Sequence, residues 1–225
     1  MTDRHHISVA FSAELHSLRS QILDMGRLVD TQVGEALRAL EDRDPALAAQ
    51  VIEADRAVNQ MELAIDEQCI RILALRQPAA SDLRFTAAAL KMVTDLERIG
   101  DLAVNMSERV EVLAVQPPLG AAEELPALAA IARRMLKDAL DAFVSGDSAK
   151  AEAVMATDPE VDARSAKLCA DVEALMTRDS TAVRGGLATI FFAKHIERMA
   201  DHVTNVAEMV VYLVRGRDVR HAKAT

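Results

Sequence analysis

The sequence predicts an all-α protein built from two tandem, internally repeated three-helix up-down-up bundles, with six long helices in total. Composition is the first reason: aromatic residues make up only 3% of the 225 residues, with eight glycines and six prolines, and such usage favours helices. The second reason is that residues 95–110 recur at 195–210 without a gap. Repetition at a fixed offset indicates a duplicated domain.

The two copies share polar residues as well as an apolar period. Six pairs are identical: Glu97/Glu197, Arg98/Arg198, Asp101/Asp201, Asn105/Asn205, Glu108/Glu208 and Val110/Val210. In both copies apolar residues recur at steps of four and three, which is typical of a helix packed lengthwise against near-parallel neighbours. At about 100° per residue the shared polar residues form one stripe opposite that seam. We therefore expect the stripe to face outward.

The first two helices are predicted from apolar spacing and from helix-start residues. Helix one should span about 8–41, where apolar residues recur at helical spacing. Asp44 followed by Pro45 is an N-cap with a proline in the first turn, which predicts the start of helix two. Pro78 is expected to end that helix, because proline cannot continue the backbone hydrogen bonds.

Helix three and the linker after it complete the first half. We expect Ser81 or Asp82 to cap helix three, which should run to about Val115. The segment Gln-Pro-Pro-Leu-Gly at 116–120 is the clearest linker in the chain. The predicted domains are residues 1–116 and residues 117–225.

The second half repeats the plan of the first. Helix four should cover about 125–144 and end at Gly146, and Asp147 should cap helix five as Asp44 caps helix two. Pro159 is expected to kink or interrupt helix five. Helix six should cover about 181–216. Because the connections are short, sequential helices should be antiparallel.

A pair of carboxylates four residues apart occurs in both repeats and predicts a metal site. Glu97 and Asp101 lie on one helix face, and so do Glu197 and Asp201. Two like charges at this spacing repel, whereas a hard cation between them would be bound by its preferred oxygen ligands. The competing interpretation is a solvated acidic face.

Helix two offers two further ligands to the first site. Folding helix two against helix three about Pro78 brings Glu62 level with Asp95, and Glu62 with Asp66 forms another Glu-x-x-x-Asp pair. Four carboxylates could then meet in the groove between the helices.

The equivalent residues in the second half are Ser165 and Cys169. The second site should therefore be poorer, with Asp158 and Asp162 as candidate substitutes.

Charge and cysteine usage exclude several classes of function. A net charge of −9 and a pI of about 5.2 argue against nucleic acid as the main partner. Cys69 and Cys169 are expected to be buried free thiols in a reducing compartment. The first ten residues do not resemble a signal peptide, and no apolar stretch is long enough to span a membrane. We expect a cytoplasmic protein without membrane insertion.

Several segments together resemble the PhoU family of bacterial phosphate-signalling accessory proteins. The segments are Ile-Asp-Glu-Gln-Cys-Ile-Arg-Ile at 65–72, Arg-Gln-Pro-Ala-Ala-Ser-Asp-Leu-Arg at 76–84, Leu-Glu-Arg-Ile-Gly-Asp at 96–101, and Ile-Glu-Arg-Met-Ala-Asp at 196–201 followed by Asn205. The resemblance implies two tandem three-helix bundles with Glu/Asp-x-x-x-Asp metal sites on the surface. It also implies a regulatory link between a phosphate ABC transporter and a sensor histidine kinase. Ala200 departs mildly from the signature glycine.

The function that this resemblance implies is that of a non-catalytic adaptor. It would restrain phosphate uptake and phosphate-starvation signalling by linking the ATPase component of the transporter to the kinase. It would bind a divalent or trivalent metal ion (Mg, Mn, Fe, Ca or Zn), and the candidate ligands are Glu97, Asp101, Glu197, Asp201, Glu62 and Asp66.

Candidate partner contacts are Arg98, Arg198, Asp82 and Arg84. The two interpretations of Arg98 and Arg198 are ion pairing with the neighbouring acids and contact with a partner, and Asp82 could be an ordinary helix cap. A homodimer is one of the oligomeric states left open.

The alternative function is a carboxylate-bridged di-metal enzyme on a helical bundle. That chemistry uses Glu-x-x-His motifs projecting into the bundle core, and the sequence contains none. His195 and His202 are interpreted as surface or boundary residues. The sequence therefore favours a protein that is not an enzyme.

Overall fold

A computed structural model describes residues 2–217, which contain six long α-helices, two short 3₁₀ turns and no strand. The helices are α1 (Thr2–Glu41), α2 (Pro45–Arg76), α3 (Ala80–Val115), α4 (Leu125–Ser145), α5 (Ser148–Arg178) and α6 (Val183–Arg215), and the turns are Gly120–Ala122 and Ser180–Ala182. The predicted fold class, two repeated three-helix bundles, is confirmed.

The helices form two layers. Within each half all three helices contact one another, and across the halves α3 contacts α6 while α1 contacts α4. These contacts place α2, α3, α6 and α5 side by side, with α1 and α4 packed across one face of that row. No helix of the described chain covers the opposite face, which we call the open face.

The two halves share one hydrophobic core. The apolar seams of α3 and α6 are buried up to their last members, Leu113 and Leu213, which are partly exposed, and the buried residues form a single cluster that includes all six helices. Leu96 and Met106 on α3 and Phe192, Ile196 and Val206 on α6 have no exposed surface. Each central helix therefore stabilises both bundles by removing apolar surface from water.

The predicted caps of α2 and α5 are confirmed. The carboxylates of Asp44 and Asp147 each accept hydrogen bonds from the backbone N–H groups two and three residues later, at 2.9–3.1 Å. Gly146 and Gly216 end α4 and α6 with φ 65°, as glycine allows in the left-handed region.

The start of α3 differs from the prediction. The helix begins at Ala80 with Ala79 as an N-cap that forms no side-chain hydrogen bond, so neither Ser81 nor Asp82 is the cap. In the connection between α2 and α3, Gln77 and Ala80 both adopt left-handed φ values of 46°. Because these residues turn the chain before Ser81, the helix starts earlier than predicted. Asp82 lies in the first turn, where a carboxylate interacts favourably with the helix dipole.

Two further helix predictions are corrected by the structure. The first helix begins at Thr2, before the predicted Ser8. The predicted interruption at Pro159 is wrong, since α5 continues through that residue. Pro159 is exposed, so water can hydrogen-bond the carbonyl of Met155 that loses its partner.

The linker between the halves is tied to the first bundle. The guanidinium of Arg43, in the α1–α2 connection, donates hydrogen bonds to the backbone carbonyls of Leu113 and Gln116. The predicted boundary between residues 116 and 117 falls in this tied segment and stays a prediction. None of the helices described here is long and apolar enough to cross a membrane.

Candidate functional site

Two acidic grooves lie between paired helices, one in each half. The first groove lies between α2 and α3 and is formed by Asp55, Asn59, Glu62, Asp66, Glu97 and Asp101. The second groove lies between α5 and α6 and is formed by Asp158, Asp162, Ser165, Cys169, Glu197 and Asp201. Because α1 and α4 cover the other face of the helix row, both grooves belong to the open face.

The first groove brings carboxylates of α2 close to those of α3. Burial raises the pKa of Glu62, and the charges of Asp66 and Asp101 raise it further. Burial also raises the pKa of Glu97, followed by the charges of Asp101 and Glu62. Glu62 of α2 is therefore close enough to Glu97 and Asp101 of α3 for their charges to interact.

Arg98 neutralises part of the first groove. Its Nη1 lies 3.1 Å from Asp101 Oδ2 and its Nε lies 3.5 Å from Glu97 Oε2. The interpretation of Arg98 as an ion-pair partner of the neighbouring acids is thereby supported. The guanidinium remains half-exposed and accessible to a partner.

The floor of the first groove is a hydrogen-bonded network that the sequence analysis missed. Gln32 Nε2, from α1, donates to Asp55 Oδ1 at 3.1 Å, and Asn59 Nδ2 donates to Asp55 Oδ2 at 2.9 Å. A Cβ atom at Gly100 would lie 3.2 Å from Gln32 Oε1 and 3.3 Å from Asp55 Oδ1. Glycine at this position of α3 leaves room for the network. The available signal was the spacing Asp55-x-x-x-Asn59, which recurs as Asp158-x-x-x-Asp162 at an offset of 103 residues.

The second groove holds a tighter group of carboxylates. One ligand oxygen from each of Asp158, Asp162 and Asp201 lies within 4.8 Å of the others, and no other such group of three occurs among the side chains described for residues 10–217. Burial raises the pKa of Asp158, as do the charges of Asp162 and Asp201. Burial and then the charge of Asp162 likewise raise the pKa of Asp201. The side chains named as substitutes thus approach Asp201, and the second groove is the more concentrated of the two.

Glu197 lies beside this carboxylate group and pairs with a lysine. Lys194 Nζ lies 2.6 Å from Glu197 Oε2. Burial alone would raise the pKa of Glu197, but Lys194 and the hydroxyl of Ser165 together outweigh it, so that the pKa is lowered. No ion pair joins Arg198 to Asp201 in the described chain, in contrast to Arg98 and Asp101.

Ser165 and Cys169 occupy the positions that correspond to Glu62 and Asp66. Both are buried, and burial raises the pKa of the Cys169 thiol. The thiol therefore stays protonated at neutral pH and is a poor metal ligand.

The donor set of both grooves fits a hard cation. The Oδ1 atoms of Asp66 and Asp158 are buried without a hydrogen-bond partner, which is costly for a carboxylate unless another group compensates. The pKa values of Asp66 and Asp158 are raised, mainly by burial, which indicates the same uncompensated charge. Oxygen ligands without histidine suit Mg²⁺, Ca²⁺, Mn²⁺ or Fe better than Zn²⁺.

The shared polar stripe is less exposed than the sequence predicted. The side chain of Glu97 keeps only 16% of its accessible surface, because α2 packs beside it. Beside the stripe, Asp95 Oδ1 accepts a hydrogen bond from Asn205 Nδ2 at 3.0 Å and lies 2.9 Å from His202 Nδ1. Glu97 is thus only partly exposed, whereas Glu108 and Asn205 of the stripe are exposed, as expected of an outward face.

The histidines and the remaining candidate residues occupy different environments. Both histidines are partly buried, as expected of boundary residues. His202 contacts Asp95 of the other half, and burial, followed by the charge of Arg109, lowers the pKa of His195. A Cβ atom at Gly216 would lie 3.5 Å from the Arg84 guanidinium, so Arg84 packs at the end of α6. Arg198 is exposed.

Comparison with known proteins gives a consistent result. A family model described as the PhoU domain matches residues 22–110 and again 125–210. A Pseudomonas aeruginosa relative named phosphate-specific transport system accessory protein PhoU homolog is 44% identical over 223 residues, covering 98% of this chain and 92% of the relative. The Escherichia coli protein named phosphate-specific transport system accessory protein PhoU is 39% identical over 216 residues, covering 96% of this chain and 90% of that protein.

Solved structures extend the similarity to the fold. The crystal structure of PhoU from Pseudomonas aeruginosa gives a TM-score of 0.89 at 43% identity, covering 92% of this chain and 100% of that one. The crystal structure of the phosphate transport system regulatory protein PhoU from Streptococcus pneumoniae gives a TM-score of 0.86 at 32% identity, covering 93% and 99%.

Proposed function

The chain belongs to the PhoU family, and we propose that it is a non-catalytic regulator that restrains phosphate uptake and phosphate-starvation signalling. In this role it links the ATPase component of a phosphate ABC transporter to a sensor histidine kinase at the cytoplasmic side of the membrane. The observation that carries the proposal is the pair of acidic grooves on one open face. Two related docking surfaces on one rigid molecule suit a protein that bridges two partners.

The grooves are proposed to bind metal ions that prepare this face for docking. The first groove would use Glu62, Asp66, Glu97 and Asp101. The second would use Asp158, Asp162 and Asp201, with Glu197 adjacent. A bound cation would supply charge neutralisation and fix the carboxylates in one geometry. The protein residues contribute by holding the carboxylates close together at a cost that only a positive charge relieves.

The state of the thiols and histidines favours regulation over catalysis. Burial raises the pKa of the Cys69 thiol to about 12, so this residue does not supply a thiolate nucleophile at neutral pH. His202 is engaged with Asp95 at the boundary between the halves. The groove carboxylates also lie on a surface face, whereas di-metal oxidases place their ligands in the bundle core.

The proposal is tested by reporter expression from a phosphate-responsive promoter in phosphate-rich medium. A variant that combines Glu97→Gln, Asp101→Asn, Glu197→Gln and Asp201→Asn is expected to lose repression. It should keep its fold, because substitutions at partly exposed positions change stability little. A control for loss of surface charge is Glu67→Gln with Asp171→Asn, which neutralises one exposed carboxylate on α2 and one on α5 outside the grooves and is compared with Glu97→Gln/Asp101→Asn, the half of the variant that removes the same charge. Full repression by the groove variant would show that the open face is not the signalling surface.

A further inference from the structure

A further cavity lies on the side of the molecule opposite the acidic grooves. It is a groove of about 620 Å³ between α1 and α4, within the size range of small-molecule sites. Its walls come from residues 31–41 of α1 and 126–137 of α4. We call it the basic groove, because four cations line it against two carboxylates in a chain of net charge −9.

One arginine of the basic groove is fixed in place by α1. Arg133 Nε lies 2.8 Å from Asp30 Oδ1, and its Nη2 lies 3.3 Å from Asp30 Oδ2. A Cβ atom at Gly34 would lie 2.5 Å from Arg133 Nη2, so glycine lets the guanidinium lie against the α1 backbone. Lys137 Nζ is 3.9 Å from the same carboxylate. Two cations therefore share one acid, and positive charge is left over.

The other two arginines have carboxylates nearby and do not pair with them. Arg38 has Glu35 and Glu41 three residues away on either side, yet it forms no ion pair with any side chain described between residues 10 and 217. Arg134 has Asp138 four residues later, but Asp138 pairs with Lys150 at 3.1 Å. Both guanidiniums line the basic groove with their hydrogen-bond donors available.

We propose that the basic groove binds a compact phosphate anion that carries one or two phosphoryl groups. A guanidinium matches two phosphate oxygens at once and is the preferred group for such recognition. Glu35 and Glu41 line the same groove and would repel an extended polyanion, which favours a short ligand over an acidic polypeptide. The choice of phosphate over a carboxylate rests on the proposed function in phosphate signalling.

Binding at this groove would connect the ligand to both halves of the molecule. Arg38 belongs to α1 and Arg134 to α4, and these two helices come from different repeats. A phosphate anion held between them would stabilise the α1–α4 contact without touching either acidic groove. Its effect on the partner-binding face would therefore act through the shared core.

The test is isothermal titration of the full chain with inorganic pyrophosphate in metal-free buffer of low ionic strength, because low salt preserves exposed charge interactions. Absence of metal prevents the acidic grooves from holding pyrophosphate through a cation. We expect saturable binding at one site, and the Kd should rise about tenfold or more in the Arg38→Gln/Arg134→Gln variant, since each charged hydrogen bond contributes substantially.

The matched control is Arg27→Gln/Arg56→Gln, which removes the same charge from exposed positions on α1 and α2 outside the basic groove. We expect it to bind pyrophosphate like the wild type. Equal loss in both variants would indicate nonspecific attraction and overturn the inference, as would absence of pyrophosphate binding or tighter binding of an oligoglutamate peptide. Because this assay involves neither reporter nor partner, its failure would leave the proposed regulatory function standing.

Discussion

The two acidic grooves occupy equivalent places in the two halves but handle their negative charge differently. In the first groove, Asp55 accepts amide hydrogen bonds from Gln32 and Asn59, and Arg98 pairs with Asp101. The second groove leaves three carboxylates close together, those of Asp158, Asp162 and Asp201. The motif repeated on α3 and α6 therefore determines the position of each groove, and the residues of the neighbouring helix, α2 or α5, largely determine its charge.

One position accounts for much of this difference. Asp162 stands in α5 where Asn59 stands in α2, so an amide donor in one half is replaced by a carboxylate in the other. The amide satisfies Asp55, whereas Asp162 repels Asp158 and helps to raise its pKa. The second groove should consequently depend more strongly on a bound cation than the first.

The largest expected effect comes from making the second groove resemble the first. Asp162→Asn should weaken Mn²⁺ binding about tenfold or more, because affinity follows the number of charged ligands. In the wild type, Mn²⁺ at a hundred times its Kd should stabilise the fold by about 2.7 kcal/mol and raise Tm by roughly 5–10 °C for a chain of this size. Thermal melts with Mn²⁺ and with EDTA measure the difference.

The control for this prediction is Asn59→Asp, which adds a carboxylate to the first groove. It should increase the Mn²⁺-dependent rise in Tm. If the melts of both variants respond to Mn²⁺ as the wild type does, the two grooves do not differ in the way their charges suggest.

A smaller change in Tm is expected from exchanging Gly100 of α3 and Ala200 of α6, which occupy equivalent positions. Gly100→Ala places a methyl group 3.2–3.3 Å from Gln32, Asp55 and Val58. Crowding of this kind costs about 1–3 kcal/mol, which exceeds the gain in helix propensity of about 1 kcal/mol. We expect Tm to fall by roughly 2–4 °C.

The reverse exchange, Ala200→Gly, should also lower Tm, because it removes a fully buried methyl group and places glycine inside a helix. Differential scanning calorimetry of both variants provides the measurement. A rise in Tm for Gly100→Ala would mean that the network on the floor of the first groove yields without cost.

The smallest effect concerns two glutamates with opposite pKa shifts. Burial raises the pKa of Glu97, so the folded state binds its proton more tightly than the unfolded state, and the stability contribution falls as pH rises through the raised pKa. Lys194 lowers the pKa of Glu197, so its contribution exists above the unfolded pKa and is lost as pH falls through the lowered one.

Neutral substitutions should therefore act in opposite directions at pH 7 without metal. Glu97→Gln should raise Tm by about 1 °C and Glu197→Gln should lower it by about 1 °C, since exposed or half-exposed charge pairs contribute tenths of a kcal/mol. Both differences should disappear at acidic pH, where the wild-type carboxyl groups are protonated. The position of Lys194 is occupied by Thr94 in the first half. Shifts of Tm with the same sign at pH 7 would mean that this difference does not determine how the two glutamates affect stability.

The helix caps could be predicted from the sequence, because a cap depends only on residues that are neighbours in the chain. Asp44 and Asp147 bond only to the next turn of chain, so their capping roles could be inferred directly. The network of Gln32, Asp55 and Asn59 could not, because it joins two helices whose relative rotation depends on the whole core. The burial of Glu97 was missed for the same reason: its angle around α3 gives a direction but does not say whether α2 occupies it.

The core that runs through all six helices makes this single chain the covalent equivalent of a symmetric dimer. In a homodimer with such an interface every substitution would appear twice, and the paired sites would have to stay alike. Joining the copies in one polypeptide removes that constraint. Asp95 of α3, for example, contacts His202 and Asn205 of α6. Its counterpart in α6 is a different residue, His195. Fusion lets one groove acquire amide donors to Asp55 and the other a cluster of three carboxylates, so that a duplicated gene can yield two specialised surfaces at constant stoichiometry.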